Sequence, residues 1–408
     1  MKKQKKLKIC MLAHNPPFQG GIVQYCVLLE NNLIKLYKDK LNMKIIGFNH
    51  LYPPLLYKGK LPKKNRSGIN FQSPNSNFID WFNPLSWIKA YFVMRKADIM
   101  YLHWVSPLLT PLQFVILKLN RIFSKKKVIL TCHNIEPHES TVFDRIFTKT
   151  IFSLTDNFVI HAQQNKQRLI RDYNIHPDKI CVAPHGSFGF FTRWRPTNLT
   201  KTHLKQQLRK EFNIDQKTKV ILFFGYIREY KGLRYLLRAM HKIIEQEQNN
   251  KTENKVKLII AGELWQNIKE YKKDLKGLKK YIQIYPKFIP DHEVHKYFDV
   301  SDICVLPYYN SEQTISGPLL ISLAFGIPTI VSPVGGLPEF VKDNHEVIFS
   351  EGGNVDLLTK NILNLLRNKK LQLKLSKNAL KKDKSFQWDN VALNYYNVFN
   401  NVGGRNDN

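Results

Sequence analysis

Short runs of β-branched and other apolar residues recur along this chain, and the stretches between them return apolar residues every three or four positions. In the first half the runs are LKICMLA (7–13), MKIIGFN (43–49), DIMYLHW (98–104), KVILTCH (127–133), NFVIHA (157–162) and KICVAPH (179–185), each read as a strand. Between the first two, Ile22, Cys26, Leu29, Leu33 and Leu36 fall on one face of a helix. Nearly continuous apolar strands alternating with helices predict parallel βαβ units.

After a turn-rich, aromatic connection from Gly186 to about Lys201 the pattern restarts with KVILFFG (219–225), VKLIIAG (256–262), YIQIYPKF (281–288), DICVLPY (302–308), PTIVSP (328–333) and HEVIFS (345–350). FQWDNVALNYYNVF (386–399) follows as an amphipathic helix rich in aromatics. The chain is thus expected to be α/β, with two doubly wound domains at 1–190 and 201–385 and a C-terminal helix and tail at 386–408. Such folds bind ligands beyond the carboxyl ends of their strands, which places the expected site in a cleft between the domains.

At 408 residues the chain is long enough for two cores. Its longest apolar stretches fall short of the roughly 18–20 residues that span a bilayer, so no transmembrane helix is expected. MKKQKKLKICMLAH is basic like a signal peptide, but turn-forming HNPPFQGG interrupts it early and it reads as a lead into the first strand. Cys10, Cys26, Cys132, Cys181 and Cys304 are scattered and odd in number, which suggests reduced thiols in a cytoplasm. The net charge of +31 is uneven: residues 1–200 carry 30 basic and 10 acidic side chains, residues 201–408 carry 33 and 22. That excess favours anionic partners, either nucleic acid or a membrane surface, and no nucleic-acid reading motif accompanies it.

The candidate chemistry follows the strands. In HNPPFQGGIVQY, Gly20 and Gly21 stand at the mouth of a helix, where a missing Cβ lets an anion approach backbone N–H groups. In GYIREYKG, Arg228 and Lys231 sit between Gly225 and Gly232 just before a helix, a placement suited to clamping a diphosphate through charge-assisted hydrogen bonds. In SEQTISGPLLISLAFGIPTIVSPVGGLPE, Ser316 and Gly317 precede a helix, and a Gly-Gly turn leads to Glu339. TCHNIEPHES gathers His133, Glu136, His138 and Glu139 after a strand, without the spacing of a metal site. His103 and Trp104 end another strand, where they line the acceptor side or pack.

These pieces together, from PPFQGG through His133, APHG, GYIREYKG, LIIAG, DICVLPY and GIPTIVSPVGG to the tail helix, resemble the GT-B glycosyltransferases, closest to family 4 (group 1). The resemblance implies two Rossmann-like domains, an N-terminal one for the acceptor, a C-terminal one for a nucleotide sugar, and a C-terminal helix crossing back onto the first. It implies that Arg228 and Lys231 neutralise the donor diphosphate, that His133 contacts the donor sugar, and that Gly20, Gly21, Gly225, Gln313, Ser316, Gly317 and Glu339 bind the donor. The family commonly carries two glutamates with seven residues between them; Gln313 and Ile321 stand there instead, with Glu312 adjacent to the first. A Ser-Gly form without both acids occurs in the broader family.

The expected activity is transfer of a sugar from a nucleoside diphosphate sugar to an acceptor hydroxyl, without a cofactor or metal and with retention of configuration. The alternatives are an inverting transferase using Glu136 or His138 as base, another GT-B enzyme such as a phosphorylase or epimerase, and a non-catalytic scaffold or nucleotide-sugar sensor at the membrane. The acceptor is expected to be lipid-linked or saccharide, in envelope polysaccharide or glycolipid synthesis. Residues 77–96 and 108–127 hold Trp81, Trp87, Phe114 and Phe123, which enter a membrane interface or, as expected for most of them, pack onto the sheet, and the run Lys125, Lys126, Lys127 suggests a peripheral protein at the inner face of an anionic membrane.

Overall fold

The computed structural model describes residues 5–51, 69–135, 142–249, 255–309 and 314–404. The chain divides into two compact units, one formed by 1–186 together with 386–408, the other by 187–385.

The first unit is built on seven parallel strands: β1 (Leu7–Leu12), β2 (Leu41–His50), β3 (Asn75–Asp80), β4 (Ile99–Trp104), β5 (Lys127–Cys132), β6 (Asn157–Ile160) and β7 (Ile180–Val182), in the order β3-β2-β1-β4-β5-β6-β7. The order reverses between β1 and β4, the position at which open α/β sheets form a crevice. Every residue of β4 is buried, as expected for a strand covered on both faces. On one face lie Trp87, Ala90, Tyr91 and Met94 of the helix Pro84–Met94, Leu112 and Ile116 of Thr110–Leu119, and Ile151 and Phe152 of Val142–Ser153. The other is covered by the helix Gly21–Tyr37 and the helix Trp388–Val402. The latter is pinned where Tyr25 Oη donates to Tyr395 Oη at 2.7 Å and where Tyr37 and Tyr396 stack at 4.0 Å.

The second unit has six parallel strands: β8 (Lys219–Phe224), β9 (Val256–Ala261), β10 (Ile282–Tyr285), β11 (Ile303–Leu306), β12 (Thr329–Val331) and β13 (Ile348–Phe349), in the order β10-β9-β8-β11-β12-β13. Its switch point lies between β8 and β11. The helix Leu233–Asn249 buries Leu233, Leu236, Leu237, Met240 and Ile243 against this sheet.

Two sequence expectations are corrected. The edge strand β3 was absent from them, because NSNFID is mostly polar and exposed. Leu36, placed on the buried face of the first helix, is 41% exposed near that helix's end. Of the aromatic residues offered either to a membrane or to the sheet, Trp87 turns inward and donates from its indole to Asp80 O at 2.9 Å, and Trp81 is half-buried with its indole on Leu108 O.

Candidate nucleotide-sugar site

The loop after β8 is shaped by two glycines that no other residue replaces easily. Gly225 has φ +115°, and a Cβ there would meet Pro318 at 3.1 Å. Gly232 has φ +72°, and its Cβ would lie 1.7 Å from the Pro307 carbonyl oxygen. The turn between them is therefore pressed against the chain leaving β11. That contact carries Lys231 into the interior, 5% exposed, with its ammonium 4.3 Å from the ring centre of Tyr308 and 5.0 Å from that of Tyr230. Burial, and after it the neighbouring Arg228 guanidinium, bring the Lys231 pKa down to about 7. Arg228 is only partly covered and lies over Trp265 at 5.3 Å and Tyr230 at 5.5 Å. Two cations thus share an aromatic setting at the carboxyl end of the sheet.

Ser316 and Gly317 stand beyond β11 at the start of the helix Gly317–Phe325. Ser316 is fully buried; its hydroxyl accepts from Leu319 N at 3.2 Å as the helix N-cap and lies 2.6 Å from Tyr308 Oη. Pro318 has no N–H and that of Leu319 is occupied, so the N–H of Gly317 is what this first turn offers an anion. Tyr308 therefore joins the two candidate elements, one through its ring and one through its hydroxyl. Ile321 is 5% exposed in the helix core. Glu339 is exposed in the short helix Leu337–Phe340 that follows the Gly-Gly turn. Gln313 and Glu312 lie outside the described residues. Tyr308, Tyr230 and Trp265 escaped the sequence reading; their signal was an aromatic residue just past a strand or inside the cationic loop. A surface groove of ≈ 690 Å³ lined by Gln246, Asp356, Lys360 and Arg367 shares no residue with this set.

In the first unit, Gly20 (φ +117°) caps the helix Gly21–Tyr37 after β1. His133 follows β5 and is buried, part of a layer of imidazoles at the carboxyl ends of the strands. His103 Nδ1 and His133 Nε2 are 3.1 Å apart and their rings stack at 5.3 Å. His161 and His185 continue the layer with ring centres 5.3 Å apart, each directing Nδ1–H to a carbonyl, on Ala183 at 3.0 Å and Gly186 at 2.8 Å. Tyr25 packs across it, 4.8 Å from His133 and 4.7 Å from His185. Burial pushes His14 and His161 down to about 4 and His185 to about 3, and it holds His103 and His133 well below the usual imidazole range. These rings are neutral at pH 7. Trp104 packs inside the core on Phe152, its indole donating to Ile135 O at 3.1 Å. Glu136, His138 and Glu139 lie outside the described residues.

The family model for glycosyl transferases group 1 matches residues 205–382, nearly the whole of the second unit. The second unit is a group 1 glycosyl transferase domain. An uncharacterized glycosyltransferase of Methanocaldococcus jannaschii is 28% identical to the chain over 243 residues, 57% of each protein. The D-inositol 3-phosphate glycosyltransferase of Corynebacterium glutamicum is 22% identical over 264 residues, 63% of this chain and 60% of its own. The match thus spans less than two thirds of these relatives. Among solved structures, the glycosyltransferase of Rickettsia africae shares the fold over 97% of this chain and 98% of its own, with TM-score 0.70 and 17% identity. HepE of Anabaena, solved with UDP-glucose, does so over 97% and 100%, with TM-score 0.72 and 14% identity. The architecture is GT-B, and the group 1 domain holds Gly225, Arg228, Lys231, Ser316, Gly317 and Glu339.

Proposed function

We propose that the protein is a glycosyltransferase that moves a sugar from a nucleoside diphosphate sugar to an acceptor hydroxyl, and that the group 1 domain binds the donor. The observation that carries this reading is the buried cation Lys231 beside Arg228 at the switch point between β8 and β11. A lysine held there near pKa 7 gains a full charge when a diphosphate arrives, and both cations then stabilise the charge that grows on the departing diphosphate. Gly317 N–H adds a dipole to the same task. His133, a neutral imidazole, can donate or accept a hydrogen bond to a sugar hydroxyl. No step requires a metal. The reaction retains configuration, and the acceptor is a lipid-linked or saccharide hydroxyl of envelope polysaccharide or glycolipid synthesis.

The test is a thermal-shift screen of nucleoside diphosphates and their sugars, followed by product analysis with the best donor. A rise in melting temperature with one nucleoside diphosphate, and glycosylated product with its sugar, supports the reading. If none of the common nucleoside diphosphates raises the melting temperature, the donor site is wrongly assigned.

A further inference from the structure

The imidazole layer of the first unit restricts which nitrogen of His133 can meet a ligand. His103 pairs in register with Thr131, and His133 N donates to Trp104 O at 3.0 Å just past the end of β5, so His103 and His133 stand on the same face of adjacent strands. Their rings stack, with His103 Nδ1 lying 3.1 Å from His133 Nε2. Burial holds both rings neutral, so one of these two nitrogens carries the hydrogen and the other accepts it. His133 Nε2 is thus engaged inside the layer, and only Nδ1 is left for a ligand. Whether that Nδ1 donates or accepts depends on His103.

The far nitrogen of His103 settles the direction. His103 Nε2 is buried, and among the described residues no protein group lies within hydrogen-bond distance of it. If His133 donated to His103, the hydrogen of His103 would sit on Nε2, a buried N–H without an acceptor. If His103 donates from Nδ1, Nε2 is only a bare lone pair. Folded chains orphan a buried N–H less often than they leave an acceptor unused. His161, in the same layer, already shows the second arrangement: its Nδ1–H goes to Ala183 O at 3.0 Å, and its Nε2 is likewise buried without a partner. A carbonyl oxygen only accepts, so the hydrogen of His161 is fixed on Nδ1 and its orphan nitrogen is bare. His103 has little room to depart from that pattern, because its ring is 1% exposed and lies 4.7 Å from the ring of Tyr101, and its carbonyl accepts from Gln113 Nε2 at 2.9 Å.

We propose that His103 is a positioning residue: its Nδ1–H donates to His133 Nε2 and so presents His133 Nδ1–H as a hydrogen-bond donor to an oxygen of the transferred sugar. The inference deepens the reading of the protein as a glycosyltransferase and rests on it. A sugar with a hydroxyl or carboxylate oxygen at that position is then favoured over the corresponding deoxy sugar, which offers no acceptor.

The first arm of the test needs no substrate. In the full chain with isotope-labelled histidine, long-range proton–nitrogen correlation spectra distinguish the protonated from the bare nitrogen of each ring, with His103→Asn and His133→Asn assigning the signals. Both rings should carry their hydrogen on Nδ1; a hydrogen on Nε2 of His133 overturns the proposal. The second arm uses whichever UDP, GDP or ADP sugar supports transfer. His103→Phe, which has no Nδ1–H, should lower kcat/KM by about tenfold, the scale of one hydrogen bond, while the Kd of the sugar-free nucleoside diphosphate stays at the wild-type value. His103→Asn, whose amide N–H can stand in for Nδ1–H, should recover most of that loss. In a His133→Ala background His103→Phe should cost nothing further, because it acts through His133. An undiminished cost in that background, weakened binding of the nucleoside diphosphate, or full activity of His103→Phe each overturns the proposal. The expected spectra with no transfer from any of these sugars would strike the transferase reading and leave the hold of His103 on His133 standing.

Discussion

Acidification to about pH 5 will weaken the first unit sharply, because its histidine layer is folded in the neutral form. His14 and His161 titrate at about 4 and His185 at about 3 in the folded protein, whereas an unfolded chain takes up those protons near 6.5. The folded pKa values are depressed, so the unfolded state binds more protons on acidification. Stability is intact above about pH 6.5 and falls as pH drops, until the folded protein begins to protonate near 4. Between about pH 7.5 and about pH 5 each such imidazole removes about 2 kcal/mol, set almost entirely by the distance from 6.5 to 5. Three remove about 6 kcal/mol, comparable to the whole stability of many domains. The assay is urea unfolding followed by tryptophan fluorescence at both pH values, for the wild type and His161→Asn. The Asn amide can keep the hydrogen bond to Ala183 O that His161 Nδ1 makes at 3.0 Å, while its charge never changes. The variant should lose about 2 kcal/mol less than the wild type over the same pH interval. Parallel losses in the two proteins would show that His161 is already protonated when folded, and the account of a neutral layer would fail.

Lys231 makes nucleotide binding pH-dependent in the opposite sense. With its free-state pKa near 7, affinity for UDP should weaken by up to about tenfold per pH unit above 7, and calorimetry should show proton uptake on binding that Lys231→Ala abolishes. Gly232→Ala places a Cβ 1.7 Å from the Pro307 carbonyl oxygen at φ +72°; it should destabilise the second unit by more than about 2 kcal/mol in denaturant melts and weaken nucleotide binding by displacing Lys231. Ser316→Ala removes both the helix cap and the Tyr308 contact, costing about 1–2 kcal/mol of stability and more activity than Ile321→Val, whose cost is about 0.5–1.5 kcal/mol.

The strands that proved readable are those buried on both faces, since continuous apolar runs such as IMYLHW and KVILFF have no other comfortable setting. The edge strand β3 was invisible because an edge is held by one neighbour and keeps its polar residues in solvent. The cations Arg228 and Lys231 were legible from their place between glycines, but not the depth of Lys231. That depth follows from the Gly232–Pro307 contact, formed by segments far apart in sequence. The imidazole layer was hidden for the same reason. His103, His133, His161 and His185 each look like a lone histidine near a strand end, and only the parallel sheet brings them into line.

The helix Trp388–Val402 belongs to the first unit, although every residue of the second precedes it in the chain. During synthesis the second unit is contiguous and can close on itself as soon as Ser385 has left the ribosome. The first must wait, with Leu29, Leu33 and Tyr25 uncovered on one side of its sheet, until Trp388, Val391, Tyr395 and Phe399 emerge to cover them. The order of completion therefore runs against the order of translation: once Ser385 has been added the second unit has all of its residues, while the first still lacks a wall of its core.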